Sequence, residues 1–129
     1  MPPRIVVLDD EDEVRAVWIE ALQDAGYHAE GFALGADLLA RLPDLAPDLI
    51  VLDMIMPGMD GYEFLARLRA EPTASRVPLL IVSAMGEGLS ISIDSRGADV
   101  MGVVAILNKP VRLPALLEHV ERLVGPSAA

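Results

Sequence analysis

The sequence predicts a doubly wound α/β fold, a parallel sheet with helices on both faces, and three observations carry that expectation. Short apolar runs alternate with helix-period segments about five times along the chain. The strong runs, Ile5–Leu8, Leu49–Leu52, 78–83 and 103–107, are continuously apolar, as strands buried on both faces are. The connections between them cross over through helices, and such crossovers demand parallel strands.

The elements follow in order. Ile5–Leu8 reads as the first strand and runs into the acidic cluster D-D-E-D at 9–12. A helix then carries Val14, Val17, Trp18, Ala21 and Leu22 on one face, and Gly26 is placed to stop it. A weaker strand lies near His28–Phe32, and G-A-D-L-L-A-R-L (35–42) reads as a helix ended by Pro43. Leu49–Leu52 is the next strong strand, and after D-M-I-M-P-G-M-D-G (53–61) the stretch 62–70 reads as a helix. P-L-L-I-V-S (78–83) and V-V-A-I-L (103–107) are strands, while L-S-I-S-I-D (89–94) alternates with period two inside a segment where a helix is expected. Leu113, Leu116, Leu117, Val120, Leu123 and Val124 recur at helical spacing on one face of a final helix.

Length and composition bound the function. The 129 residues suit one domain, 1–129, with a core over 5–124 and a short tail at 125–129. The chain is 53% hydrophobic, so material for a core is ample. Its formal charge is −10, with 20 acids against 10 bases, which disfavours direct nucleic-acid binding and favours a divalent cation or a basic partner surface. The absence of cysteine excludes disulfides, thiolate metal sites and cysteine nucleophiles. M-P-P-R runs straight into I-V-V-L without the regions of a signal peptide, and the longest apolar runs are strand-sized, so a soluble cytoplasmic domain without membrane contact is expected.

In a doubly wound sheet, sites lie beyond the carboxyl ends of the strands, at the switch point of strand order. The residues just past the strong strands are Asp9 and Asp10, Asp53, Ser83, and Lys109 in N-K-P. Lys109 is the only lysine; the nine other bases are arginine, which suggests that a compact point charge was needed there. Each residue has an ordinary explanation. Asp10 with Glu13, and Asp60 with Glu63, have capping-box spacing, Asp53 alone could form a turn, and Lys109 alone could be solvated. The signal lies in their convergence. Two carboxylates about 4 Å apart repel by roughly 4 kcal/mol at an effective dielectric near 20, so three together ask for a cation. Mg²⁺ (or Mn²⁺) takes oxygen ligands and is commonly held by carboxylates plus phosphate oxygens. Phosphoryl transfer to Asp53 follows, with Lys109 pairing one phosphoryl oxygen and Ser83 donating to another.

At V-V-L-D-D-E (6–11), D-M-I-M-P-G-M-D-G (53–61), S-A (83–84) and K-P (109–110) the chain resembles the response-regulator receiver family of two-component signalling, over about Ile5 to Val124. The resemblance implies a flavodoxin-like, five-stranded sheet of order 2-1-3-4-5. Asp53 would be the phosphoacceptor. Asp9, Asp10 and Asp53 would hold Mg²⁺ with the Ile55 backbone carbonyl, Ser83 and Lys109 would hold the phosphoryl group, and the Lys109–Pro110 bond would be cis. The phosphate would come from a histidine on a sensor histidine kinase or a phosphotransfer protein. A downstream protein of unknown identity would read the change, as would a second copy of the chain if phosphorylation drives dimerisation.

Three departures bear on output. The family usually places Tyr or Phe three residues before the lysine, and here Ile106 stands there, sharing the switch with Ser83. The interval from Ser83 to Lys109 is about four residues longer than the family pattern, and the 84–101 segment inside it has no clear helical or strand period. Ile55 and Met85 are apolar flanks of the expected path of hydrolytic water, which predicts slow loss of the phosphate. Two other classes stay open: a receiver-like docking or dimerisation module that no longer uses phosphate, and a Mg²⁺-dependent hydrolase with an aspartyl nucleophile. The latter wants a second acid where Ile55 stands. G-P-S-A-A after Val124 carries no output-domain pattern, so the chain acts through its own contacts or is a piece of a longer regulator. His28, His119 and Trp18 stand apart from the strand-end residues.

Overall fold

Successive strand residues point to opposite faces of a sheet, and the continuous apolar runs of this chain place buried side chains on both. In the computed structural model, which describes residues 2–53, 61–72, 77–83, 103–108 and 111–125, five strands form one sheet. They are β1 (Arg4–Leu8), β2 (His28–Phe32), β3 (Leu49–Leu52), β4 (Leu79–Ser83) and β5 (Val103–Asn108). The helices are α1 (Asp12–Asp24), α2 (Gly35–Leu45), α3 (Gly61–Ala70) and α4 (Leu113–Val124). Every strand pair is parallel and the order is β2-β1-β3-β4-β5, as the sequence led us to expect.

Val6, Leu8, Ile50, Leu52, Leu79 and Ile81 face one side, where they meet Leu38, Leu42 and Leu45 of α2 and Phe64, Leu65 and Leu68 of α3. Ile5, Val7, Leu49, Val51, Leu80 and Val82 face the other, against Trp18 and Leu22 of α1 and Leu116 and Val120 of α4. The sheet is therefore doubly wound, and its switch point lies between β1 and β3. The edge strand β2 reads His-Ala-Glu-Gly-Phe with only Phe32 buried, which explains its faint sequence signal.

The stop at Gly26 is a Schellman motif. Gly26, with φ of 98°, donates its N–H to Gln23 O at 3.0 Å and Tyr27 donates to Leu22 O at 3.1 Å. Tyr27 and Leu22 then bury in the same cluster, the apolar contact that accompanies such an ending. Tyr27 also donates its hydroxyl to Gly125 O at 2.9 Å, tying the end of α4 to the lower edge of the sheet. Burial first, and Glu121 second, push its phenol above the ordinary 10.0. A raised folded-state value means stability that is intact below the unfolded value and lost as pH rises through the folded one. Tyr27→Phe should therefore cost about 1 kcal/mol near neutrality. The wild type should then lose stability more steeply than the variant as pH rises beyond about 10, which urea midpoints at neutral and alkaline pH will check.

Two local expectations are corrected and one rival reading, the capping box at Asp10 and Glu13, is removed. Pro43 does not end α2; the helix continues to Leu45, because Leu42 and Leu45 both bury against the sheet and Ala46, at φ 44°, closes the last turn onto Leu42 O at 3.2 Å. A proline near the carboxyl end removes a single ladder bond, which that burial offsets. Val17 is 47% exposed, because α1 seats on the sheet through Trp18 and Leu22. It lines a groove of about 560 Å³ with Val14, Val111 and Leu113. Glu11, one residue beyond Asp10, is the N-cap of α1 and makes no side-chain cap hydrogen bond, so Asp10 and Glu13 form no capping box. The period-two stretch at 89–94, the 84–101 segment around it and Asp60 of the second capping-box pair lie outside the described residues. Among the described residues, no helix is long and apolar enough to cross a membrane.

Candidate functional site

Parallel pairing brings the carboxyl ends of all the strands to one edge, and register then decides which residues meet. Leu8 of β1 pairs with Leu52 of β3, so Asp9 and Asp53 leave adjacent strands side by side at the switch point. Main-chain bonds fix both: Asp53 N donates to Leu8 O at 3.0 Å and Asp9 N to Phe32 O at 3.1 Å. The next strands extend the same edge. Ser83 ends β4 in register with Asn108 of β5, the residue before Lys109.

Asp9 is fully buried, Asp53 is 5% exposed and Asp10 is half-buried. One carboxylate oxygen from each lies within 4.8 Å of the others. Pairs of unit charges at that separation repel by about 3–4 kcal/mol at an effective dielectric near 20. The chain nevertheless orients these acids with several hydrogen bonds. Asp9 accepts the Glu11 N–H on its Oδ1 at 2.9 Å, and its carbonyl accepts from Arg15 Nη1 at 2.8 Å.

The donor set fits a hard divalent cation. Octahedral Mg²⁺ with ligands at about 2.1 Å keeps its oxygen donors roughly 3–4.2 Å apart, and oxygens grouped within 4.8 Å need only small rotations to reach that spacing. Carboxylates alone suit Mg²⁺ or Mn²⁺ better than softer metals.

Of the predicted site residues, Asp9, Asp10 and Asp53 come together, and Ser83 stands at the end of a strand beside them. Ile106 lies in β5 in register with Ile81. Ile55, Met85, Lys109 and the Lys109–Pro110 bond lie outside the described residues. Arg15 was not singled out from the sequence. Its spacing to Asp12 is a visible helical pair, but its bond to the Asp9 carbonyl depends on how the loop folds back.

Comparison with known proteins gives a consistent picture. Residues 5–121 match the model of the response regulator receiver domain. The phosphate regulon transcriptional regulatory protein PhoB of Rhizobium meliloti is 31% identical over 124 residues, covering 96% of this chain and 53% of that protein. The chain thus spans about half the length of this curated relative. The chemotaxis protein CheY4 of Vibrio cholerae superposes with a TM-score of 0.83 at 27% identity, covering 95% of this chain and 99% of that one. The receiver domain of the sensor histidine kinase PA1611 of Pseudomonas aeruginosa shares the fold, with a TM-score of 0.78 at 23% identity over 97% of this chain and 99% of its own. It was solved with a magnesium ion coordinated in its active site cleft.

Proposed function

The chain belongs to the response regulator receiver domain family, and from that premise we propose that it is a phosphorylation switch with Asp53 as phosphoacceptor. The observation that carries the assignment is the meeting of Asp9, Asp10 and Asp53 at the switch point of the sheet, with Asp53 directly after β3. A carboxylate in that place has neighbours that can hold Mg²⁺ beside it, Ser83 ends β4 on the same edge in register with Asn108, and Lys109, next in sequence, would join it at the phosphoryl oxygens.

The donor is a phosphohistidine on a sensor histidine kinase or a phosphotransfer protein. An Asp53 carboxylate oxygen attacks the phosphorus in line, forming an O–P bond as the P–N bond breaks. The imidazole ring, protonated on its other nitrogen, departs neutral with the electron pair. Asp9, Asp10, Asp53 and the Ile55 carbonyl would hold Mg²⁺, which would supply charge neutralisation at the transferring oxygens. Lys109 pairs one of them and Ser83 donates to another. The product replaces one negative charge by about two and adds acceptor oxygens, which biases the surface around Ser83 and Ile106 toward a state that a downstream protein or a second copy reads.

The test is incubation with acetyl phosphate and Mg²⁺ followed by intact mass, beside Asp53→Asn and a metal-free control. One phosphate adduct on the wild type, absent from both controls, is expected, and because Ile55 and Met85 are apolar where the family resemblance implies the path of hydrolytic water, it should outlast desalting. Folded wild type that takes up no phosphate would indicate a docking module that no longer uses it.

A further inference from the structure

Arg15 is held unusually closely for a base on a surface helix. Its side chain is 19% exposed, although its partner Asp12 is 83% exposed. The burial has a sequence cause in Gly31 of β2. A Cβ there would come within 3.0 Å of Arg15 Cγ and Cδ and would collide with Ile19 Cδ1, so the missing side chain is the space in which the arginine stem lies. An arginine on a helix ordinarily covers apolar surface with its stem and leaves its head in water. This head turns back toward the start of α1, where Nη2 meets Asp12 Oδ1 at 2.6 Å and Nη1 donates to the Asp9 carbonyl at 2.8 Å.

The second bond is the informative one, because it falls on main chain rather than on a carboxylate. The Asp9 carbonyl belongs to the peptide that joins Asp9 to Asp10, so fixing it fixes the direction in which Asp10 leaves the chain. Asp9 is thereby held from three sides: by β2 through Phe32 O, by the N-cap residue Glu11 through its N–H, and by Arg15 from the body of the helix. The exposed Asp12 contributes little by itself, since ion pairs with a solvated partner are weak.

We propose that Arg15 is a positioning residue for the divalent-cation site: by holding the Asp9–Asp10 peptide it aims the Asp10 carboxylate at Asp9 and Asp53. This rests on the assignment of the acidic pocket as a Mg²⁺ site. Groups that orient metal ligands from outside the ligand set typically change affinity by about 10–100-fold when removed.

The test is calorimetric titration of the whole chain with MgCl₂ for wild type, Arg15→Gln, Arg15→Lys and Asp12→Asn, with thermal unfolding in EDTA recorded for each. Arg15→Gln should bind Mg²⁺ about tenfold more weakly, Arg15→Lys should recover part of the loss, and Asp12→Asn should stay within about twofold of wild type. In acetyl phosphate reactions, Arg15→Gln should raise the Mg²⁺ concentration for half-maximal rate. Its rate at saturating Mg²⁺ should stay within about twofold of wild type, a split that general loosening would not give. Wild-type affinity in Arg15→Gln overturns the inference, as does an equal loss in Asp12→Asn, which would assign the effect to the ion pair. If Arg15→Gln does not fold, Arg15→Met replaces it, since an unbranched apolar stem keeps the packing over Gly31 and removes the donor to the Asp9 carbonyl. Weakened binding there supports the role and unchanged binding overturns it. A wild type that binds no Mg²⁺ fails at the pocket itself, and that result is distinct from the others.

Discussion

Asp10→Asn should make the metal-free protein more stable by about 1–2 kcal/mol while removing most of the stabilisation that Mg²⁺ gives the wild type. The first half follows from Coulomb's law. Three carboxylate oxygens lie within 4.8 Å of one another, and each close pair costs about 3–4 kcal/mol at an effective dielectric near 20. Asp10 is the most exposed of the three, so solvent and salt screen much of its share, and the expected gain is reduced accordingly. It is also the acid whose replacement disturbs least, because hydrogen bonds that fix the pocket run through Asp9 and the Asp53 main chain. The second half follows from linkage: an ion that binds only the folded state stabilises it by about 2.7 kcal/mol at a hundredfold excess over its Kd. Taking away one anionic ligand weakens binding and so shrinks that increment. Urea unfolding in EDTA and in saturating Mg²⁺, for wild type and variant, measures both halves. A variant that is less stable in EDTA would mean that Asp10 is stabilised by protein groups, and the pocket would lose its character as a site waiting for a cation.

The reason this pocket was legible in the sequence is topological. Asp9 and Asp53 each directly follow a continuously apolar strand, and a parallel sheet forces such positions to one edge whatever the loops do. The strands were legible for a related cause, since a central parallel strand has no solvent face and so no polar alternation. What the sequence misjudged was local competition settled by packing. Pro43 reads as a stop, yet Leu45 gains enough by burial to carry α2 past it. Val17 fits the apolar period of α1, but a helix lying on a sheet buries a narrow stripe, and Trp18 and Leu22 fill it. Asp10 and Glu13 have capping-box spacing, but the Asp9 carboxylate takes the Glu11 N–H and the helix starts a residue later. Arg15 was illegible for a different reason: its acceptor is a main-chain carbonyl, which no pattern of residue types records.

Phe64→Ala should lower the unfolding free energy by about 3–5 kcal/mol, the range for truncating a buried aromatic ring in a core that cannot collapse around the gap. Phe64 is fully buried on α3, in the cluster that joins Leu52 of β3 and Ile81 of β4 to Leu38 and Leu42 of α2. Its neighbours come from several elements on rigid scaffolding, so little relaxation is available, and interiors packed to crystal-like density transmit such a void rather than fill it. Leu34→Ala provides the contrast: that side chain is 49% exposed, and its loss should cost within about 0.5 kcal/mol. Against a typical domain stability of roughly 5–15 kcal/mol, the first change is a large fraction and the second is not. In urea, Phe64→Ala should lower the midpoint with an unchanged slope; a changed slope would mean that the native state has loosened. The site feels this through chain geometry. Only residues 54–60 separate Asp53 from the start of α3 at Gly61, so the helix that Phe64 seats is tied by a short length of chain to the acidic pocket. Where the variant remains folded, Mg²⁺ binding should therefore weaken for Phe64→Ala and stay unchanged for Leu34→Ala. Equal affinity in both would show that the acidic pocket is positioned by β1 and β3 alone.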